Sequence, residues 1–322
     1  MNQVLYTLRS RHYSRRFRVP VKTSRGLSTT REGLIVSLSD SLGNRAETEI
    51  APWEGFGCEP LDEARNVLNT LTAQAFPASE KSNLLASLKT LPCTQHALTA
   101  AFFLLENPEA QHAPEPPDTA ICRLLLRDAA SDPESLAAAL LADRRYRSFK
   151  IKIGLAPLPD EMDFCKKILS RCAELRPDAR IRFDANGAWQ SPEALTALAP
   201  LYAFPQLEFI EQPLAATPEN DAAVYALPPE HAAKTALDES LREPWKMPEG
   251  TSVVAVVKPL LVGDFPRLRS WLLETQHAPR FVISSVFETE CGRVLLRELC
   301  RETQSNPRAL AAGIATTAAF EN

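Results

Sequence analysis

RIRFDANGAW, residues 180–189, is the stretch on which the reading of this chain turns. A short apolar strand, with Ile181 and Phe183 alternating with arginines, runs straight into Asp184, Ala185, Asn186 and Gly187. A tight turn needs only the Asn–Gly pair. Asp184 then has three readings: a turn residue, a helix cap or a metal ligand. Its neighbours along the chain have to choose among them.

Working outward, the strand is one of a series. Upstream lie the strand ICRLLL (121–126), the helix SDPESLAAALLADRR (131–145), the strand FKIKIG (149–154) and the helix EMDFCKKILSRCAEL (161–175). Downstream come SPEALTALAPLY (191–202), a helix opening on Ser191, Pro192 and Glu193, and the strand LEFIEQPL (207–214). AAKTALDESL (232–241), SVVAVVKPLL (252–261) and FVISSVF (281–287) each hold a strand, and CGRVLLRELCRE (291–302) is a helix. Repeated strand–helix alternation predicts a parallel sheet with outer helices. About seven to eight repeats favour closure, so the expected class is α/β, a modified TIM-type (β/α) barrel. The barrel is assigned to 106–322. GIATTAAFEN (313–322) is short for a final strand and leaves the last barrel segment unassigned.

Residues 1–105 read differently, as strands followed by helices, an α+β capping domain. GLIVSLSD (33–40) and AETEIAPWEGFG (46–57) carry strands. LDEARNVLNTLTAQA (61–75) and HALTAAFFLLE (96–106) have helical spacing. The proline-rich ENPEAQHAPEPPD (106–118) is the connector.

Bulk properties exclude several classes. With 36 Lys and Arg against 40 Asp and Glu, the net charge of −4 gives no nucleic-acid footprint. The arginines between Arg9 and Arg18 read as solvated charge beside early strands. No apolar run is long enough to span a bilayer, and no secretory leader is recognisable. The seven cysteines are irregularly spaced and lack a C-x-x-C pair, as expected of reduced thiols in a cytoplasmic protein. No G-x-G-x-x-G follows a strand and no P-loop is present, so nucleotide folds lack their fingerprints. The sequence does not choose between a monomer and a dimer.

In a barrel of this kind, chemistry sits at the C-terminal strand ends. Those ends carry Lys150 and Lys152, then Asp184, Glu211 and Asp238, then Lys258. The three carboxylates recur at intervals of 27 residues, about one βα unit. Alone, each is more often a turn or cap residue. In register on adjacent strands they repel unless a cation joins them. An all-carboxylate set without His or Cys suits a hard ion, Mg²⁺ before Mn²⁺ or Ca²⁺. Lys150 and Lys152 alternate with Phe149, Ile151 and Ile153 and project to one side, into the barrel mouth. A lysine beside cations is expected to have a lowered pKa and to act as a base. Together these groups predict proton abstraction α to a carboxylate.

These motifs resemble the enolase superfamily, in its muconate-lactonising-enzyme branch. FKIKIG resembles its K-x-K strand, RFDANGAW its metal strand, FIEQPL and ALDESL the other ligand strands, and VVKPLLVG the second-lysine strand. ISSVFETECGR resembles its seventh-strand motif and EIAPWEGFG its capping loop. The short chain and the D-A-N-G-A-W wording are most like the o-succinylbenzoate synthase family within that branch. The resemblance implies Asp184, Glu211 and Asp238 as Mg²⁺ ligands, with Mn²⁺ an alternative ion. It implies Lys152 as the base and Lys258 as the cation on the opposite face of a small carboxylate substrate. Lys150, Arg182 and Asn186 become supporting residues, and Ser284 and Ser285 substrate contacts. In the expected capping loop, residues 21–32, Arg25 and Arg31 are candidates to read the substrate. The implied reaction is dehydration through a metal-stabilised enediolate. N-acylamino acid racemase, dipeptide epimerase and muconate-type cycloisomerase use the same groups and stay open.

Overall fold

The computed structural model describes residues 3–23, 26–53, 56–72, 74–128, 130–274, 276 and 278–321. Arg25 lies outside them. The chain opens with a four-stranded antiparallel sheet of order β3-β2-β1-β4. Its strands are β1 (Leu5–Thr23), β2 (Gly26–Asp40), β3 (Arg45–Ile50) and β4 (Phe76–Pro77). Helices α1 (Leu61–Leu71), α2 (Lys81–Ser87) and α3 (Pro92–Glu106) pack beside it. The arginine-rich stretch lies within β1 rather than beside it. Leu8 and Phe17 are its buried side chains, while Arg9, Arg11, Arg16 and Arg18 face solvent.

The second sheet is parallel and runs in simple chain order, from β5 (Cys122–Leu125) through β6 (Ser148–Lys152), β7 (Arg180–Asp184), β8 (Leu207–Glu211), β9 (Thr235–Leu237) and β10 (Val254–Val257) to β11 (Phe281–Ile283). The helices between and after them are α4 (Pro133–Ala142), α5 (Leu158–Leu175), α6 (Glu193–Leu198), α7 (Pro218–Tyr225), α8 (Pro229–Ala232), α9 (Phe265–Leu273) and α10 (Glu290–Thr303). The expected helix at 191–202 is α6 followed by a 3₁₀ turn, Ala199–Ala203. Pro200 lacks the amide that would continue the α ladder. Asp132 caps α4 through the Ser135 amide.

The segment left unassigned by sequence closes the barrel. Phe281 donates to the Arg308 carbonyl and accepts from Leu310, and Gly313 donates to Ile283. On its other side, Ala312 donates to Ala120 and accepts from Cys122. Parallel bridges Phe281↔Ala309, Ser284↔Gly313 and Ile121↔Ala312 join the two sheet edges. The architecture is a capped (β/α) barrel.

Strand alternation sorts side chains between two surroundings. Phe149, Ile151, Ile181, Phe183 and Ile210 face outward into a core shared with α5. Phe209, Ala236, Val254, Val256 and Val282 face inward with Leu310 and fill the barrel floor. The inward phase continues upward through Asp184, Glu211, Asp238 and Lys258. The antiparallel sheet is fastened to this barrel by apolar contact: Leu260, Leu261 and Val286 join its core, and Ala46, Ala100 and Leu104 join that of β10, β11 and α10. Phe17 stacks on Phe320 with ring centroids 4.9 Å apart and meets Phe287 edge-on.

Candidate active site

The ladder places the polar residues at one level. Lys152 pairs with Asp184, Asp184 with Glu211, and Glu211 with Ala236. Asp238 lies two residues beyond Ala236, on the same face. Asp184, Glu211 and Asp238 are all buried. Lys150 Nζ bridges Asp184 Oδ2 at 2.8 Å and Glu211 Oε1 at 2.7 Å. Lys258 Nζ pairs with Asp238 Oδ1 and lies 4.4 Å from the centre of the Phe56 ring. Phe56 comes from the loop after β3, so that loop lies over this lysine.

A fourth buried carboxylate, Glu239, was not singled out from sequence, although it directly follows Asp238. It accepts from Asn186 Nδ2 at 3.2 Å. Among the described residues, Glu239 Oε2 and Asn186 Oδ1 are buried without a hydrogen-bond partner. Asn186 itself adopts φ 46°, and its amide donates to Asp184 Oδ1 at 3.1 Å.

Charge sets the protonation behaviour. Burial pushes Glu211 up to about 7; Lys150 opposes this, and Asp184 and Asp238 reinforce it. Burial also raises Asp238 and Glu239 despite Lys258. Burial pushes Asp184 up, but Lys150, Lys152 and Lys258 together hold it below its usual value. Burial alone would lower Lys150 and Lys258, but the surrounding carboxylates outweigh it and raise both.

Among the described residues, no group of three or more acidic, His or Cys side chains stands close enough to hold a metal ion. Lysine ammoniums lie between the carboxylates instead. The donor set nevertheless fits a hard divalent ion. It is all oxygen, it carries four buried carboxylates against Lys150 and Lys258, and two acceptor atoms are unsatisfied. Asp184, Glu211 and Asp238 are the side chains that would hold such an ion.

The remaining expected residues divide. Ser284 and Ser285 lie at the top of β11, buried, with Ser284 Oγ 3.3 Å from where a Cβ on Gly313 would sit. Ser285 Oγ donates to Glu288 and contacts Thr316 Oγ1 at 2.7 Å, and so shapes its own loop. Arg182 lies one layer below Asp184, donating to Glu208 Oε2 at 2.6 Å and to the Ala311 carbonyl at 2.8 Å. Glu208 is the extra residue where the β7–β8 register shifts. Arg182 therefore ties that bulge to the closing segment. Arg31 differs from its expectation as a substrate residue. Its buried guanidinium donates to the carbonyls of Val286 at 3.1 Å, Pro52 at 2.6 Å and Ala51, because it is the clip between β2 and the loop after β11.

Sequence reasoning missed Arg127 and Glu161, a buried pair at 2.8 Å. Glu161 also accepts from the amides of Leu155 at 2.9 Å and Ala156 at 2.8 Å, fixing the loop after β6. Arg127 reaches the Lys152 carbonyl at 3.4 Å. Beside the carboxylates opens a cavity of about 640 Å³, lined by Asn186, Gln190, Thr217, Glu239, Ser240 and Arg242 among others. Arg242 packs against Gly57 of the loop after β3, where a Cβ would lie 1.4 Å from its Nη1.

Comparison with known proteins places this fold in a family. The family model "Enolase C-terminal domain-like" matches residues 133–256. The o-succinylbenzoate synthase of Aliivibrio fischeri is 31% identical over 283 residues, covering 84% of this chain and 78% of that protein. The chain belongs to the enolase superfamily. This superfamily member is an enzyme. A second relative, the o-succinylbenzoate synthase of Thermosynechococcus vestitus, is 28% identical over 312 residues, 94% of this chain and 91% of that one. Among solved structures, the o-succinylbenzoate synthase of Thermosynechococcus elongatus, complexed with Mg in its active site, superposes with a TM-score of 0.77 at 25% identity. That match covers 98% of this chain and 94% of the other. A dipeptide epimerase from Methylococcus capsulatus, complexed with Mg and L-Arg-D-Lys, shares the fold with a TM-score of 0.77 at 17% identity. It covers 99% of this chain and 92% of its own. Among the described residues, no helix is long and apolar enough to cross a membrane.

Proposed function

We propose that this enzyme is a carbon–oxygen lyase, an o-succinylbenzoate synthase. Its reaction is the syn dehydration of 2-succinyl-6-hydroxy-2,4-cyclohexadiene-1-carboxylate to o-succinylbenzoate, in menaquinone or phylloquinone synthesis. The observation that carries the reading is near-full-length similarity to synthases of that name, joined to lysines and carboxylates level at the barrel mouth. Lys152, at the end of β6, takes the α-proton. Lys258, across the barrel, holds the negative charge that develops on the substrate carboxylate. Lys152 then returns its proton to the departing hydroxyl, on the face from which the proton came. Lys150 keeps Asp184 and Glu211 in place. Bound at Asp184, Glu211 and Asp238, Mg²⁺ supplies positive charge against the substrate carboxylate. Residues 1–105 act as the cap over a site carried by 106–322.

The test is spectroscopic. Loss of the cyclohexadiene absorbance is expected when the purified protein meets this substrate with Mg²⁺, and EDTA is expected to stop it. Absence of conversion by folded protein would move the assignment to racemase, epimerase or cycloisomerase substrates. A second result concerns the ligands. Asp238→Asn is expected to weaken Mg²⁺ binding by at least about tenfold, the lower end of what outer-shell changes alone produce. Isothermal titration with Mg²⁺ reads this directly, and an unchanged affinity would remove Asp238 from the ligand set.

A further inference from the structure

Gln212 follows Glu211 within FIEQPL and was given no role of its own, yet its side chain makes four hydrogen bonds at the strand ends. It is buried to 1% exposure and adopts φ 38°, a left-handed conformation that favours glycine. A glutamine held there is over-determined by its surroundings. Its main-chain amide donates to Ala236 O at 2.8 Å, and its carbonyl accepts from Gly187 N at 2.8 Å. Its side-chain Oε1 accepts from two amides of the next loop, Asp238 N at 2.9 Å and Ser240 N at 3.2 Å. Its Nε2 donates to Leu214 O at 2.9 Å and Ser240 Oγ at 2.8 Å.

The two amides on Oε1 belong to residues i and i+2 of one short turn. They converge on a single oxygen, as successive amides do around a bound anion. The turn 238–240 is thereby wrapped around the Gln212 amide. This wrapping fixes where each of its three side chains leaves the backbone. Asp238 points to Lys258, Glu239 to Asn186, and Ser240 to Asp221. The same residue holds the turn after β7 through Gly187. One amino acid therefore touches all three strand ends that carry Asp184, Glu211 and Asp238.

We propose that Gln212 is a positioning residue, whose side-chain amide fixes the backbone of the Asp238 turn against the strand ends of Glu211 and Asp184, so that the three carboxylates can reach one divalent cation. This rests on reading those three carboxylates as the ligand set. It goes beyond that reading by naming what fixes the backbone from which Asp238 leaves, while the side chains themselves pair with Lys150 and Lys258.

The experiment is titration calorimetry with Mg²⁺ on the wild-type chain, Gln212→Met, Gln212→Gly and Asp238→Asn, each checked for folding by circular dichroism. Gln212→Met keeps the volume and removes both hydrogen-bonding groups. Gln212→Gly removes the side chain and relieves the left-handed backbone, so it protects the fold should the Met variant not fold. Both are expected to weaken Mg²⁺ binding about 10–100-fold at unchanged stoichiometry, the usual size of an outer-shell effect on a metal site. A structural role alone would lower the melting temperature and leave the affinity of the folded protein at the wild-type value. Wild-type affinity in either folded Gln212 variant, with Asp238→Asn weakened, overturns the positioning role and leaves the ligand set standing. Wild-type affinity in Asp238→Asn removes the ligand set, and the inference with it.

Discussion

Lys152→Ala is expected to lower turnover by about 10²–10⁴-fold, the range over which a positioned general acid–base group contributes. The lower end is unlike a mere positioning effect because Lys152 is assigned both proton transfers, abstraction from carbon and return to the hydroxyl. Its place is fixed at the tip of β6, in register with Asp184. Mg²⁺ affinity is expected to stay within a few-fold of wild type, since the ligand carboxylates and the lysines paired with them, Lys150 and Lys258, are unchanged in this variant. Two measurements separate the effects: deuterium exchange at the substrate α-carbon, followed by NMR, and Mg²⁺ titration. Exchange at the wild-type rate would take the base assignment away from Lys152.

The second large effect is on stability. Glu161→Ala strands the Arg127 guanidinium, whose side chain is 3% exposed, and leaves the Leu155 and Ala156 amides without their acceptor. Removing one partner of a buried pair costs about 3–5 kcal/mol, because the other charge stays buried and uncompensated. At roughly 2–4 °C per kcal/mol for large domains, the melting temperature should fall by about 10 °C in calorimetry. Glu161→Gln keeps an acceptor for the amides and should lose less. A shift under about 2 °C for the Ala variant would show that the loop after β6 is held by other contacts.

The barrel was legible because its strands and helices repeat with strong apolar patterning, and because catalytic groups in such barrels lie at strand ends. Asp184, Glu211 and Asp238 sit at nearly equal spacing, and the ladder brings them level as expected. What escaped notice lacked a local signature. β1 buries only a few of its side chains, so its 19 residues read as solvated arginines rather than a strand. Arg308–Gly313 is short and rich in alanine and contributes isolated bridges, which no periodicity announces. Arg31 looked like a substrate residue because arginine near a site suggests an anion. Its three carbonyl acceptors come from segments 20 to 255 residues away in sequence, which no local pattern reveals. The charge around Lys150 was equally illegible, because the carboxylates that raise it, Asp184, Glu211 and Asp238, come from three other strand ends.

The closing segment also has a consequence for biosynthesis. Seven parallel strands precede it, yet neither edge of their sheet is satisfied until Arg308–Gly313 is made. During translation, at about 5–20 residues per second, the nascent chain holds an open sheet with bare edges at β5 and β11. Exposed edges of this kind recruit other strands. The nascent chain therefore stays open to edge-on association until Arg308–Gly313 emerges, and an efficient route to native protein depends on shielding those two edges until then.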